Sequence, residues 1–434
     1  MPTLEDFRYV LELWKNLQIP PTIRREINID INTDKIITIA GVRRSGKTSL
    51  MFQCIEQLLN SGTKKSNIIY VNFENERLMA TKATDLDNLL IAHGIAFTPE
   101  EGLIYLFLDE IQNVENWDKW VRKIYDLHKY RIVITGSSSE LLSIEIATAL
   151  AGRNLSYTVY PFSFREFVKA KGIDEEKESF KYSTNKALVL KALDEFLEYG
   201  SFPEVALTND ANRKMELLSS YFDAIFFRDI IKRYKLRETG DLGVFLKILA
   251  SNYAAYFSST KVYNYFCSVG LKLSRKTILN FMEYAKNVFF AATLEQYHKS
   301  AKKRFAMAQK SYIIDLGLSK LFGEIDKGRA LENAVFIELL RRRKVAEAIY
   351  YVKLKSGKEV DFMVNERNPV LLQVSFDVSS PKTRRREISA LVEAAIAMKQ
   401  SECTIITYDY ENDETVDGIQ IRFVPFWTWA LSET

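Results

Sequence analysis

Residues 41–48 read Gly41-Val42-Arg43-Arg44-Ser45-Gly46-Lys47-Thr48, the pattern GxxxxGK[ST] met at every fixed position. A chain that wraps its main-chain N–H groups around an anion needs glycine where backbone must approach closely. Gly41 and Gly46 stand at those places. The flanking sequence supplies the setting. KIITIA (35–40) is a short β-branched run, and Ser49 opens an amphipathic stretch that closes near Gly62. Strand, glycine loop and helix in that order aim the positive end of the helix dipole at whatever the loop encloses. Phosphate is the expected occupant, cradled by residues from Gly41 to Ser49, with Val42, Arg43, Arg44 and Ser45 forming the arch. Lys47 would set an ammonium group between the β- and γ-phosphates and Thr48 a hydroxyl on Mg2+, so ATP and Mg2+ are the expected ligands. Arg43 and Arg44 either approach phosphate or face solvent.

Working outward, apolar runs alternate with helical patterns. NIIYVNFEN (67–75), LIYLFLDE (103–110) and RIVITGSSS (131–139) read as buried strands, and WDKWVRKIYDLHK (117–129) has helical spacing. Such alternation predicts a parallel sheet covered on both faces. Hydrolysis needs a carboxylate for the metal and a second to polarise water. Asp109 and Glu110, at the end of an apolar strand, are the candidates for those two roles. The next strand ends in Ser137 and Ser138, either of which could sense the γ-phosphate; tight-turn chemistry also explains the serine run. Arg153 follows a predicted helix and could stabilise phosphoryl charge within its own chain or across a subunit contact, or form a structural salt bridge.

The remainder is read more coarsely. Residues 1–25 suggest a helix ending near Pro20-Pro21, and 171–186 a charged loop. Residues 185–297 look mainly helical, with three short helices and a β segment expected over 257–297. From residue 311 the pattern is mixed, with a helix over 329–343 and strands near 348–355, 358–364, 369–376 and 403–409. The expected domains are 1–209 (nucleotide binding), 210–304 (helical) and 305–434 (α/β). Every apolar run is broken by charge before the roughly 18 residues of a membrane span, and no signal pattern opens the chain, so a cytoplasmic protein without a membrane partner is expected. Three separated cysteines and three histidines argue against a disulfide framework, a Cys/His metal site or a Ser-His-Asp triad. The net charge of +4 is too small to name a partner, although clusters at 299–304, 341–344 and 384–386 could meet phosphates or simply be solvated.

With these elements placed, the chain resembles the AAA-like P-loop ATPases of bacteria and archaea whose C-terminal region is a domain of unknown function. The resemblance is carried by GVRRSGKTSL (41–50), LFLDEIQNVENWDKWVRKIYD (106–126), VITGSSSELLS (133–143), LAGR (150–153), YGSFPEV (199–205) and FFRDIIKRY (226–234). LASNYAAYFSS (249–259), YIIDLGL (312–318), GRALENAVFIELLRR (328–342), GKEVDFMV (357–364) and LLQVSFD (371–377) extend it nearly to the end. It implies a Mg2+-dependent ATPase acting through Gly41, Gly46, Lys47, Thr48, Asp109 and Glu110, and adds support for Arg153.

Residues 258–297 look like a winged helix whose second main helix starts at Ser274-Arg275-Lys276-Thr277, where such modules read a DNA groove; with no richer basic helix, a wing used only for packing or protein contact is slightly preferred. The C-terminal block resembles the core of restriction-endonuclease-like folds, with Glu332 or Glu338 as helix acid and Asp361 on a strand. Gln373 and Ser375 replace the expected carboxylate and lysine, so the nuclease-like part is expected to be inactive unless Lys353, Lys355 or Lys358 substitutes. Two functions compete: an ATP-driven switch that engages DNA or RNA, and a nucleotide-gated module that contacts proteins, with oligomerisation open in both. An ATP-dependent nuclease ranks third.

Overall fold

A computed structural model describes residues 1–142, 150, 152–173, 184–237, 239–271, 273–342 and 349–432 of the chain. The chain forms two compact units: Met1–Tyr160 with Asn287–Phe289, and Pro161–Lys286 with Phe290–Thr434.

In the first unit, helix α1 (Leu4–Asn16) starts in a capping box. Thr3 Oγ1 accepts the Asp6 N–H, and the Asp6 carboxylate accepts the Thr3 N–H, so two otherwise unpaired donors are satisfied. The helix stops at Leu17, short of the prolines, because the chain turns extended there. Trp14 is buried beneath it and donates Nε1–H to the Ile68 carbonyl at 2.7 Å. Strand β1 (Ile36–Ala40) leads through the glycine loop into α2 (Lys47–Asn60). Gly62, at φ 97°, ends that helix as expected, with Thr63 N–H bonding back to the Leu58 carbonyl. Then come β2 (Ile68–Asn72), α3 (Asp87–Ala96), β3 (Ile104–Asp109), α4 (Trp117–Tyr125), β4 (Tyr130–Gly136) and β5 (Asn154–Thr158).

These strands form one sheet in the order β2-β3-β4-β1-β5, every pair parallel. Strands β1, β3 and β4 are nearly continuous apolar runs because helices cover both faces. Ile37, Ile39, Leu50, Met51, Ile55, Phe107 and Val133 make the core on the α2 side. The edge strand β5 was not expected from sequence: Asn-Leu-Ser-Tyr-Thr is polar and only half-buried, so neither a buried run nor clean alternation marks it. The order matters for chemistry. Strand β4 lies between the loop-bearing β1 and the acidic β3, so the ends of three strands converge.

The second unit begins with helices Phe164–Ala170, Thr184–Tyr199, Pro203–Leu207 and Ala211–Asp223. A nine-residue π-helix, Ala224–Lys232, and helix Gly240–Ser251 follow. Strand β6 (Ala255–Phe257), helices Ser259–Ser268 and Arg275–Asn287, β7 (Ala291–Leu294) and β8 (Gln309–Ile313) come next. The three strands form an antiparallel sheet, β6-β8-β7. Among the described residues of 257–297 there are thus two helices rather than three, because Ile278, Phe281, Met282 and Ala285 keep one buried stripe through a single 13-residue helix.

Helix Lys327–Arg342 leads to β9 (Ile349–Lys353), β10 (Glu359–Val364), β11 (Val370–Ser375), helix Pro381–Met398, β12 (Glu402–Thr407), β13 (Asn412–Val416) and β14 (Ile419–Pro425). Their sheet runs β13-β14-β12-β11-β10-β9, parallel through β11, β12 and β14 and antiparallel elsewhere. Helix Pro381–Met398 buries Ala390, Leu391, Ala394 and Ala395 with Val360, Met363, Leu371 and Ile405. A separate aromatic stack joins Phe336 of helix Lys327–Arg342 to Tyr312 of β8 at 4.1 Å and to Phe362 of β10 at 6.1 Å.

Candidate nucleotide site

The glycine loop leaves β1 at Ala40, and the chain leaving β5 passes directly beside it. A Cβ on Gly41 would lie 2.0 Å from the Val159 carbonyl oxygen, which is why no larger residue fits there. Gly46 caps α2 at φ 93°, in the left-handed region, with no side chain closing the helix end. The first-turn N–H groups of α2 therefore face the loop interior, the geometry of an anion site. Ser45 is fully buried in the arch and its hydroxyl oxygen has no hydrogen-bond partner. An unmet buried donor there fits a phosphate oxygen. Arg43 pairs with Glu74 at 3.0 Å, and Arg44 is exposed at φ 68°.

The loop is braced from below by Arg25, which follows the Pro20-Pro21 end of the first helix and to which sequence reasoning gave no role. Its buried guanidinium donates to the Ser45 carbonyl at 2.6 Å and to the Tyr160 carbonyl at 2.7 Å. Gln53 of α2 holds the approach to Arg25 through Thr22 and Ile23. No sequence motif announces this brace, since its partners are main-chain carbonyls far along the chain.

Lys47, Thr48, Asp109 and Glu110 come together beside the loop. Lys47 is buried, reaching back to the Gly41 and Val42 carbonyls at 3.2 and 3.3 Å and to Glu110 at 3.5 Å. The Thr48 hydroxyl donates to Asp109 Oδ2 at 2.7 Å. Asp109 is inaccessible to solvent, and besides Thr48 it accepts from Thr135 Oγ1, Tyr70 (3.2 Å) and Asn72 (3.4 Å). Burial first, and the neighbouring Glu110 charge second, push the Asp109 pKa upward. Glu110 differs. Burial opposes its charge, but the Lys47 ammonium and the Gln112 amide outweigh it and hold its pKa below the ordinary glutamate value.

Thr135, not one of the serines, touches both acids: it donates to Asp109 and accepts the Glu110 N–H at 3.0 Å. Ser137 is buried and lies 3.5 Å from the Gln112 amide nitrogen; Ser138 is buried beside it. Arg153 is placed differently. It precedes β5, where its carbonyl accepts from Ile36 at the start of β1, and its guanidinium pairs with Asp126 at 2.7 Å. The loop leaves the other end of β1, roughly 15 Å away at the rise of a strand. Arg153 is thus not brought to the loop of its own chain. The helix expected before it falls on residues 143–149, outside the described residues.

The C-terminal candidates separate into two groups. Glu338 pairs with Arg342 at 2.9 Å and Arg341 at 3.6 Å. Glu332 and Asp361 instead meet through a residue that sequence reasoning missed: Lys310 of β8, buried, at 2.9 Å from Glu332, 2.7 Å from Glu359 and 3.2 Å from Asp361. Burial and the Asp361 charge raise the Glu332 pKa to about 7 despite Lys310. Gln373 accepts the Asp361 N–H at 3.1 Å and donates to Glu387 at 2.8 Å, while Ser375 bonds the Asp377 carbonyl. Lys358 pairs with Glu393 and Lys353 lies over the Tyr256 ring. Among the basic clusters, Arg304, Arg341, Arg342, Arg384 and Arg386 all engage carboxylates. Lys299, Lys302 and Lys303 are exposed, and Arg343 and Lys344 lie outside the described residues. No helix among the described residues is long and apolar enough to cross a membrane.

Comparison with known proteins adds context. Residues 33–168 match the AAA domain, 190–327 a domain of unknown function (DUF8612) and 327–429 another (DUF4143). An uncharacterized protein of Methanocaldococcus jannaschii is 40% identical over 433 residues, covering 97% of this chain and 93% of its own. An uncharacterized protein of Haemophilus influenzae is 34% identical over 400 residues, covering 91% and 94%. A solved Walker-type ATPase of Pyrococcus abyssi covers 74% of this chain and 96% of its own at 14% identity, with a TM-score of 0.39.

Proposed function

Since the chain belongs to the archaeal and bacterial family of AAA-domain proteins with C-terminal domains of unknown function, we propose that it is an ATPase that binds ATP with Mg2+ in its first unit. The observation that carries this reading is the meeting of the start of α2 with the end of β3: Lys47 against Glu110 at 3.5 Å and Thr48 against Asp109 at 2.7 Å. A buried carboxylate whose partners are hydroxyl and amide groups is a hard oxygen donor set, and it suits a hydrated divalent ion. Thr48 and Asp109 would hold Mg2+, which when bound would neutralise charge on the phosphate oxygens.

The chain's own groups do the rest. Lys47 leaves the loop carbonyls and Glu110 for the β- and γ-phosphates, and the α2 N–H groups with Ser45 hold the remaining oxygens. Glu110, freed from that ion pair, takes a proton from water as its oxygen bonds to the γ-phosphorus. The bond to the β,γ-bridging oxygen breaks, and ADP keeps the electron pair. Thr135 fixes both acids, and Ser137 or Ser138 senses the γ-phosphate. Arg153, remote from its own loop, would reach a nucleotide only across a contact between copies of the chain.

Glu110→Gln tests the reading. It should bind ATP normally and lose at least about 100-fold in turnover, the usual worth of a general base; turnover at the wild-type rate would remove Glu110 from the mechanism.

The C-terminal region is the proposed output, in two modules with soft borders near residues 209 and 304. Strand β6, the two helices and the β7–β8 ribbon have the make-up of a winged helix. Arg275 and Lys276 start its second helix, with the Ser274 hydroxyl accepting the Thr277 N–H at 3.0 Å, and Lys299, Lys302 and Lys303 sit exposed in the connection between β7 and β8, the last two in a short helix, Ala301–Ala306. These cations favour a nucleic-acid partner over a protein one. Binding to DNA or RNA should then weaken steeply with salt; salt-insensitive or absent binding would leave the protein-contact alternative. A Lys310 ammonium within the acidic cluster supports an inactive nuclease-like part. Three free cysteines, two of them buried, suit a reducing, cytoplasmic setting.

A further inference from the structure

Glu110 does not aim itself. It follows the last residue of β3 with φ 54° and ψ 46°, a left-handed conformation uncommon for a residue with a side chain. That reversal starts the short turn Ile111–Asn113 and folds Gln112 back over the carboxylate it follows by two residues. Gln112 Nε2 donates to Glu110 Oε2 at 2.5 Å and lies 3.5 Å from Ser137 Oγ. The other carboxylate oxygen, Oε1, faces Lys47 at 3.5 Å. The opposite amide orientation would set carbonyl oxygen against carboxylate, so the charge on Glu110 decides which end of the amide meets it. Gln112 Oε1 is then buried with no hydrogen-bond partner. It packs over Gly136, where a Cβ would stand 2.3 Å from that oxygen and 2.1 Å from Leu141 Cδ1. A residue without a side chain at the end of β4 is what admits the amide.

We propose that Gln112 is a positioning residue for hydrolysis, holding Glu110 Oε2 so that Oε1 is the oxygen presented to water once Lys47 turns to phosphate. The inference rests on the role given to Glu110 above and adds a residue to it. Gln112 also ties that carboxylate to Ser137, so the serine and the general base move as one group. The hydrogen bond from Gln112 to Oε2 favours the ionised carboxylate over a protonated one.

The test compares full-length wild type with Gln112→Met, which keeps the unbranched length and loses both donors, and with the isosteric Gln112→Glu, which sets a second carboxylate against the first. Binding of a fluorescent ADP, kcat and the pH profile of kcat are read for each. Gln112→Met should lower kcat by about 10- to 100-fold, leave ADP affinity within about threefold, and move the acid limb of kcat to higher pH. Gln112→Glu should lower kcat further and move the limb more, and it serves alone should the methionine variant not fold. Wild-type kcat with an unmoved acid limb in either folded variant overturns the inference while Glu110→Gln remains inactive. A Glu110→Gln protein as active as wild type would instead sink the underlying reading.

Discussion

Replacing Lys310 by methionine should destabilise the second unit in a pH-dependent way. Lys310 is 4% exposed, and its ammonium lies within 3.2 Å of carboxylate oxygens from Glu332, Glu359 and Asp361, so one cation faces three acids. Methionine conserves much of the volume, which isolates the electrostatic loss. Removing one partner from a buried ion pair costs about 3–5 kcal/mol, because the remaining charge is left without compensation. Proton uptake limits the damage, and Glu332, already raised to about 7 with Lys310 in place, is the first acid to take one. The sign follows. Glu332 has a folded-state pKa of about 7, above its unfolded value, and losing the Lys310 charge raises it further, so the deficit is full above the folded value and shrinks as pH falls toward about 4.5. Denaturant unfolding of both proteins at pH 8 and pH 5 should give a loss of about 3–5 kcal/mol at pH 8 and clearly less at pH 5. A loss under about 1 kcal/mol at pH 8, or one equal at both pH values, would refute the reasoning.

Other expectations follow from single contacts. Arg25→Lys keeps the charge but cannot span the Ser45 and Tyr160 carbonyls; losing a hydrogen bond from a charged group, about 1.5–3 kcal/mol, should weaken ATP binding roughly 10- to 100-fold. An unchanged affinity by titration calorimetry would remove Arg25 as the loop's brace. Gly200 holds φ 73°, and a Cβ there would lie 1.8 Å from Asp315 Oδ1. Gly200→Ala should therefore cost about 3 kcal/mol or more from left-handed strain plus a displaced buried carboxylate, and a denaturation midpoint equal to wild type would contradict it.

What could be read from sequence was what chemistry fixes locally. The loop needs its glycines, lysine and threonine within eight positions, and Asp109-Glu110 must end a buried strand, so both appear as contiguous patterns. Strand β5 was missed because an edge strand needs no apolar run. Thr135 was passed over for the serines that follow it, since only the register of β4 beside β3 sets its hydroxyl on Asp109. Lys310, Arg25 and Gln112 act through partners that sequence cannot pair: carboxylates on two other elements, carbonyls 20 and 135 residues away, and a backbone reversal at a glutamate.

Titration calorimetry of the full-length protein with ATP and Mg2+ tests the central claim most directly. Saturable uptake of one nucleotide per chain, abolished or greatly weakened in Lys47→Ala, is the expected result. No heat of binding from folded wild-type protein, or equal affinity in the two proteins, would contradict a triphosphate site at the loop.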